Sequence, residues 1–178
     1  MDGVLRHIEG VLDDASTNIL VFAHHQTVLD RITSYLVAKK VEHVRIDGKT
    51  PTDARQPLVD QFQRGGDRAP RVALLSITAA GVGLTLTRAS VVVFAELAWN
   101  VAMLKQAEDR AHRIGQRACT NVHYCIAEGT LDDMMWRTVE RKFRISARRR
   151  ALLSATARRN SRLHLARRGR LGDLGSVS

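Results

Sequence analysis

The sequence predicts an α/β sandwich built on a mainly parallel sheet. Short runs that are apolar at every position, such as ILVFA at 19–23, have no side to show to water. Such runs belong to strands covered on both faces, the situation of parallel sheets in α/β proteins. Stretches with apolar residues at helical spacing alternate with these runs, and strand–helix alternation is the pattern of a parallel sheet. Glycine and polar residues cluster where the runs end. The 178 residues suffice for one domain with a sizeable core. Because 44% of them are hydrophobic and only 4% aromatic, the core is expected to be aliphatic.

Each element follows from local pattern. Residues 4–12 place Val4, Leu5, Ile8, Val11 and Leu12 on one helical stripe. Ser16 to Asn18 is a polar break before the strand 19–23. Residues 27–39 return to helical spacing with Val28, Leu29, Ile32, Tyr35 and Leu36. A second strand covers 44–46 and ends in the turn Asp47-Gly48. Thr52 is placed to cap a helix reaching Phe62, with Pro57 bending it or confining it to shorter pieces. Arg64 to Pro70 is a loop. Strands are predicted at 72–76 and 91–95, separated by a glycine- and threonine-rich segment over 78–87. A helix over 101–112 ends near Gly115, a helix-stop residue. The predicted pattern closes with a strand at 122–126 and a helix at 131–143.

Charge divides the chain. Residues 144–178 carry 10 arginines and one aspartate, whereas residues 1–143 carry 18 basic and 17 acidic residues. The net +10 is therefore almost all tail, and the expected boundary lies after Phe143: a folded domain over 1–143 and a disordered Arg-rich tail over 144–178. Cys119 and Cys125 form no CxxC, which argues against a zinc knuckle or a disulfide framework. No run of 18 apolar residues suggests a membrane span. The first residues hold acids where a secretory leader would be basic then apolar. The expectation is a soluble, intracellular protein without a membrane partner.

Ligands of open parallel sheets gather at the carboxyl ends of the strands, and the polar motifs lie there. After the first run come His24 and His25. Adjacent histidines cannot share a helix face, so no metal pair is expected, and a polar strand end is the plain alternative. After the second comes RIDGKT, with Gly48 and Thr50. After the third comes SITAAGVGLT, in which Gly81 and Gly83 permit close backbone approach and offer N–H donors to a phosphate. The hydroxyls of Ser76 and Thr78 face the same end. Glu96 closes the fourth run, where it can cap a turn, and Trp99 is a candidate packing anchor. In QAEDRAHRIGQ, residues Gln106, Arg110 and Arg113 fall at i, i+4 and i+7 on one helical face. Guanidinium is planar, permanently charged and suited to bidentate phosphate contact. Asp109 and Arg113, also i and i+4, could instead form a solvated salt bridge.

Taken together, QAEDRAHRIGQ, RIDGKT, VFAHH, SITAAGVGLT and VVFAELAWN resemble the carboxy-terminal lobe of the Swi/Snf-type ATPases. These are DNA translocases of helicase superfamily 2, and the phrases are most similar to the annealing-helicase branch. The resemblance covers about residues 19–143. It implies a RecA-like three-layer sandwich as the second motor lobe of an enzyme that hydrolyses ATP to move on DNA. It implies arginine fingers at Arg110 and Arg113, and nucleotide contacts from Gln106, Gly81, Gly83 and Glu96. It also implies DNA-backbone contacts from His24, Gly48, Thr50, Ser76 and Thr78. One departure is Val101, where the family has proline, which bears on how the motif helix is approached.

No GxxxxGK[ST] phosphate loop and no DExH pair occur in these 178 residues. In the family both belong to a first RecA-like lobe, so the resemblance implies that ATP with Mg²⁺ is held mainly by such a lobe, in cis or trans. Forked or duplex DNA, fork remodelling or repair, and a nuclear location complete what it implies. A non-catalytic nucleic-acid-binding or regulatory fragment is the alternative. The tail matches nothing in the family. It is a solvated or accidental extension, or else an import signal or non-specific DNA arm.

Overall fold

In the structure, a computed structural model, residues 1–66, 69–78, 86–97 and 121–145 are described. Five strands form one sheet: β1 (Ile19–Ala23), β2 (His43–Ile46), β3 (Val72–Ser76), β4 (Val91–Phe94) and β5 (Asn121–Tyr124). Their order is β2-β3-β1-β4-β5 and all four pairings are parallel. The apolar runs become the interior strands: β1, β3 and β4 are buried at every position. The edge strand β2 alternates half-buried and buried residues.

Register assigns each residue a face. Ile19, Val21 and Ala23 of β1 lie beside Val72 and Leu74 of β3 and Val91 and Val93 of β4. These residues form one cluster with Ile8 of α1 (Asp2–Leu12) and with Leu29, Ile32 and Leu36 of α2 (Gln26–Ala38). This face is aliphatic, as composition predicts. The ion pairs Arg31–Asp2 and Lys39–Glu9 that also join α1 and α2 are exposed. Pairs of that kind contribute about 0–1 kcal/mol, so the buried apolar stripe holds α1 in place. Arg71 adds backbone anchorage: its Nη2 donates to the carbonyls of Leu12 at 3.0 Å and Asp14 at 2.6 Å, fixing the α1–β1 turn to the start of β3.

The opposite face concentrates the aromatic residues. Phe22 stacks on Phe94 at 5.3 Å, Phe94 on Tyr124 at 4.8 Å, and Tyr124 lies 4.9 Å from Trp136. Helix α3 (Thr52–Arg64) returns the chain from β2 to β3 and buries Val59 and Phe62. Crossovers between parallel strands are right-handed, so two that run in opposite directions along the sheet, through α2 and α3, lie on opposite faces. Arg88 closes the end of α3 by donating from Nη1 to the carbonyls of Phe62 (2.7 Å) and Pro70 (3.1 Å). The chain leaves α3 through Gly65 at φ +71°, where a Cβ would also meet Arg88 Nε at 3.4 Å. A last helix, α4, spans residues 131–145. Residues Met1–Trp136 form one compact unit.

Some local expectations are corrected. Thr52 does not cap α3: the cap position is Pro51, Thr52 is already helical, and no side-chain cap bond forms. Asp53 instead accepts from the N–H of Ala54 at 3.1 Å. Pro57 does not divide the helix, which runs from Thr52 to Arg64 around it. Its missing N–H would have served the carbonyl of Asp53 in the first turn, one lost bond that burial of Val59 and Phe62 outweighs. Strands β4 and β5 end at Phe94 and Tyr124 rather than at Ala95 and Ile126, and β5 begins at Asn121. The predicted helix over 101–112, its stop at Gly115 and the anchor Trp99 lie outside the described residues.

Phe22 joins the central strand to the aromatic row and is fully buried. Phe22→Ala should lower unfolding stability by about 3–5 kcal/mol, read from urea denaturation. A loss below about 1 kcal/mol would show that the row is not part of the core.

Candidate functional site

Because every strand runs the same way, the segments after β1, β2, β3 and β4 all emerge at one edge of the sheet. Here β1 leads through α2 towards one edge strand, while β4 leads towards the other. Their carboxyl ends therefore flank a topological switch point, where open α/β sheets bind ligands.

At that point Glu96 reaches across from the end of β4. Its Oε2 accepts the backbone N–H groups of His24 at 2.7 Å and His25 at 2.9 Å, and its Oε1 lies 2.8 Å from His25 Nδ1. Helix α2 has no capping side chain of its own and no acid in its first turn. The Glu96 carboxylate supplies the negative charge that a helix N-terminus favours. His24 stays exposed, its ring edge-on to that of His25 at 4.9 Å.

The turn after β2 is tied internally. Asp47 is buried, with 4% of its surface exposed. Its Oδ1 accepts the N–H of Lys49 at 2.8 Å and its Oδ2 the Nε of Arg45 at 2.8 Å. Burial alone would raise this carboxyl's pKa, but the Lys49 N–H and the Arg45 guanidinium outweigh it, and the net direction is down. The N–H of Asp47 donates to Thr50 Oγ1 at 3.0 Å, which leaves the hydroxyl's own proton to point elsewhere. Arg55 Nε donates to the carbonyl of Thr50 at 3.1 Å. Gly48 at the tip has no positive φ, and a Cβ there would meet nothing within 4 Å. Neither backbone conformation nor packing within the described chain demands glycine at this position.

After β3, Ser76 is buried and its Oγ lies 3.2 Å from Oγ1 of the exposed Thr78. Thr78 thus carries the outward hydroxyl. His24, Gly48, Thr50, Thr78 and Glu96 are brought to one edge, with Ser76 behind Thr78. Gly81, Gly83, Gln106, Arg110 and Arg113 lie outside the described residues. Among the described residues no group of three His, Cys, Asp or Glu is placed to hold a metal ion, and no helix is long and apolar enough to cross a membrane.

Sequence reasoning missed Arg45 as an organiser. Its Nη2 donates to Gln26 Oε1 at 2.9 Å, and its Nη1 lies 2.7 Å from Asp30 Oδ1 and 3.2 Å from Thr33 Oγ1. An arginine one residue before the end of an edge strand was the available signal, but its partners on α2 are 12 to 19 residues away.

A parallel five-stranded α/β sheet with its polar loops gathered at a switch point belongs to the doubly wound, ligand-binding class, which includes the RecA-like lobes of helicases. Residues 3–115 match the family described as the helicase conserved C-terminal domain. The mouse (Mus musculus) "DNA annealing helicase and endonuclease ZRANB3" is 51% identical over 79% of this chain and 13% of its own length. The Caenorhabditis elegans "SWI/SNF-related matrix-associated actin-dependent regulator of chromatin subfamily A-like protein 1 homolog" is 50% identical over 86% of this chain and 22% of its own. The solved C-terminal part of the Fun30 ATPase domain superposes with a TM-score of 0.70 at 28% identity, covering 76% of this chain and 43% of that one. The chain belongs to the helicase C-terminal domain family, in its Swi/Snf-type, annealing-helicase-like branch. It spans less than a quarter of the length of either of these two relatives.

The direction of the Asp47 shift has a measurable consequence. A carboxyl held below its unfolded value of about 3.9 stabilises the fold above that pH, and the contribution is lost as pH falls through the lower folded value. Asp47→Asn should therefore be less stable than the parent at pH 7, and the gap should narrow as pH falls below the unfolded value and through the lower folded one. A gap independent of pH, by chemical denaturation, would show that the charge of Asp47 contributes nothing.

Proposed function

We propose that this chain is the second motor lobe of an ATP-dependent DNA translocase that anneals or remodels forked DNA. The observation that carries the proposal is the convergence of His24, Gly48, Thr50 and Thr78 on the carboxyl edge of the sheet, in a chain of this family. Gly48 supports it further. A glycine that its own fold does not require leaves room for something outside the chain, and a phosphate–sugar backbone fits such a gap. In this reading Gly48 and Thr50 hold one phosphate, Thr78 another, with Ser76 fixing the Thr78 hydroxyl and His24 approaching the same strand.

ATP is the second substrate. Arg110 and Arg113 are proposed to stabilise charge on the transferring phosphoryl group, and Gln106, Gly81 and Gly83 to sense the nucleotide. Glu96 is proposed to act on the nucleotide side by holding the start of α2. The phosphate loop and the carboxylates that hold Mg²⁺ are assigned to a first RecA-like lobe, in cis or trans. The folded lobe is placed at 1–143 and the Arg-rich tail at 144–178, in a protein acting in the nucleus on replication forks or in repair.

The test restores a first lobe and measures ATP turnover on forked DNA. Arg113→Ala should lower the rate about a thousandfold, the scale of a lost arginine finger. Arg113→Lys should recover little, because an ammonium lacks the planar two-pronged contact. Asp109→Asn should leave turnover nearly unchanged. If Asp109→Asn and Arg113→Ala are equally damaging, the helix is held by a salt bridge and the finger assignment is wrong. Absence of turnover with every supplied lobe would favour a non-catalytic nucleic-acid-binding fragment.

The tail is tested by salt. Log affinity for duplex DNA falls with log salt by about 0.9 per phosphate neutralised. Deleting residues 144–178 should flatten that slope if the tail binds DNA, and an unchanged slope would place binding on the lobe alone.

A further inference from the structure

We propose that Arg45 is a positioning residue that yokes the loop after β1 to the loop after β2, so that the two grip one DNA strand as a unit. The inference rests on the reading of those loops as backbone contacts. Sheet order makes such a link necessary. β3 lies between β1 and β2, so no strand pairing connects their ends. The connection runs through side chains. Gln26, which follows His24 and His25 at the start of α2, accepts from Arg45 Nη2 at 2.9 Å. Arg45 Nε donates to Asp47 Oδ2 at 2.8 Å, and Asp47 in turn holds the Lys49 N–H and, through its own N–H, the Thr50 hydroxyl. Asp30 and Thr33 occupy Nη1 and set the plane of the guanidinium.

Only arginine can make this span. Its fork offers donors in fixed directions within one plane, and here they point to α2 on one side and the turn on the other. The Arg45 side chain is 23% exposed and that of Asp47 5%, so the Arg45–Asp47 link is sheltered from competing water. Fixing two contact loops before DNA arrives lowers the ordering cost of binding. Arg45 thus contributes to affinity without touching DNA.

The test uses the full 178-residue chain and labelled forked DNA. Arg45→Lys keeps the charge and loses the span, and should weaken binding about tenfold with no change in salt slope. Arg45→Gln removes the charge and should likewise leave the slope unchanged; a slope reduced by about 0.9 in that variant would overturn the proposal, since Arg45 would then be a phosphate ligand itself. His24→Ala and Thr50→Ala should be non-additive in the parent, by a factor of about 3 to 10, and additive in the Arg45→Lys background. Additivity in both backgrounds would also overturn it.

Gln26→Leu provides a readout without DNA. It cuts one arm at a half-buried helix start, and should speed amide exchange at Lys49 and Thr50 several-fold while exchange in β1 and β3 stays slow. Unchanged exchange at Lys49 and Thr50 would show that Arg45 is local glue. If exchange responds as expected but Thr50→Ala leaves DNA affinity intact, the proposed DNA contact is the part that fails, and the grip falls with it.

Discussion

The organisation of this lobe depends on parallel pairing about β1. A strand with both neighbours parallel and both faces covered offers no polar surface along its length, which is why β1 and β4 are aliphatic or aromatic throughout and β3 is so up to Ser76 at its carboxyl end. Parallel pairing also forces every connection to return to the starting edge, so all outgoing loops leave from the opposite one. Chemistry placed after any strand is thereby collected at a single edge.

Collection at an edge does not by itself align the loops. Two charged side chains supply the alignment. Glu96 brings the end of β4 to the start of α2, and Arg45 brings the start of α2 to the turn after β2. The Arg45–Asp47 link is sheltered from water, and Glu96 accepts two backbone N–H groups at once at a helix start, so their charge-assisted bonds count for more than the exposed pairs between α1 and α2. The difference is one of place rather than of number. The exposed pairs decorate a contact that Ile8 already secures, whereas Arg45 joins elements the backbone leaves apart.

The two faces of the sheet divide the labour differently. The face under α1 and α2 is aliphatic and supports the helix that carries the histidine loop. The other gathers Phe22, Phe94, Tyr124 and Trp136 into one row. With only eight aromatic residues in the chain, that concentration gives the edge strand β5, which is not buried at any position, large rings to pack beside.

Strand–helix alternation, the family and the edge at which the motifs lie were all legible in local pattern. Apolar runs and helical stripes are local properties, and QAEDRAHRIGQ or RIDGKT are legible without any fold. The apolar pattern of β5 runs on to Ile126, but the strand stops at Tyr124 opposite Phe94, the last residue of its partner β4, which no local pattern encodes. Thr52 misled for a similar reason: the start of α3 is set by the chain coming off β2, and Pro51 took the cap position. Only the tertiary structure decided what Glu96 and Arg45 do. Each is a single charged residue near a strand end, ordinary in sequence, whose partners on other elements lie 12 to 72 positions away. Strand order sets those distances in space, and it is fixed by the handedness of crossovers and the burial of whole faces rather than by any residue near the site.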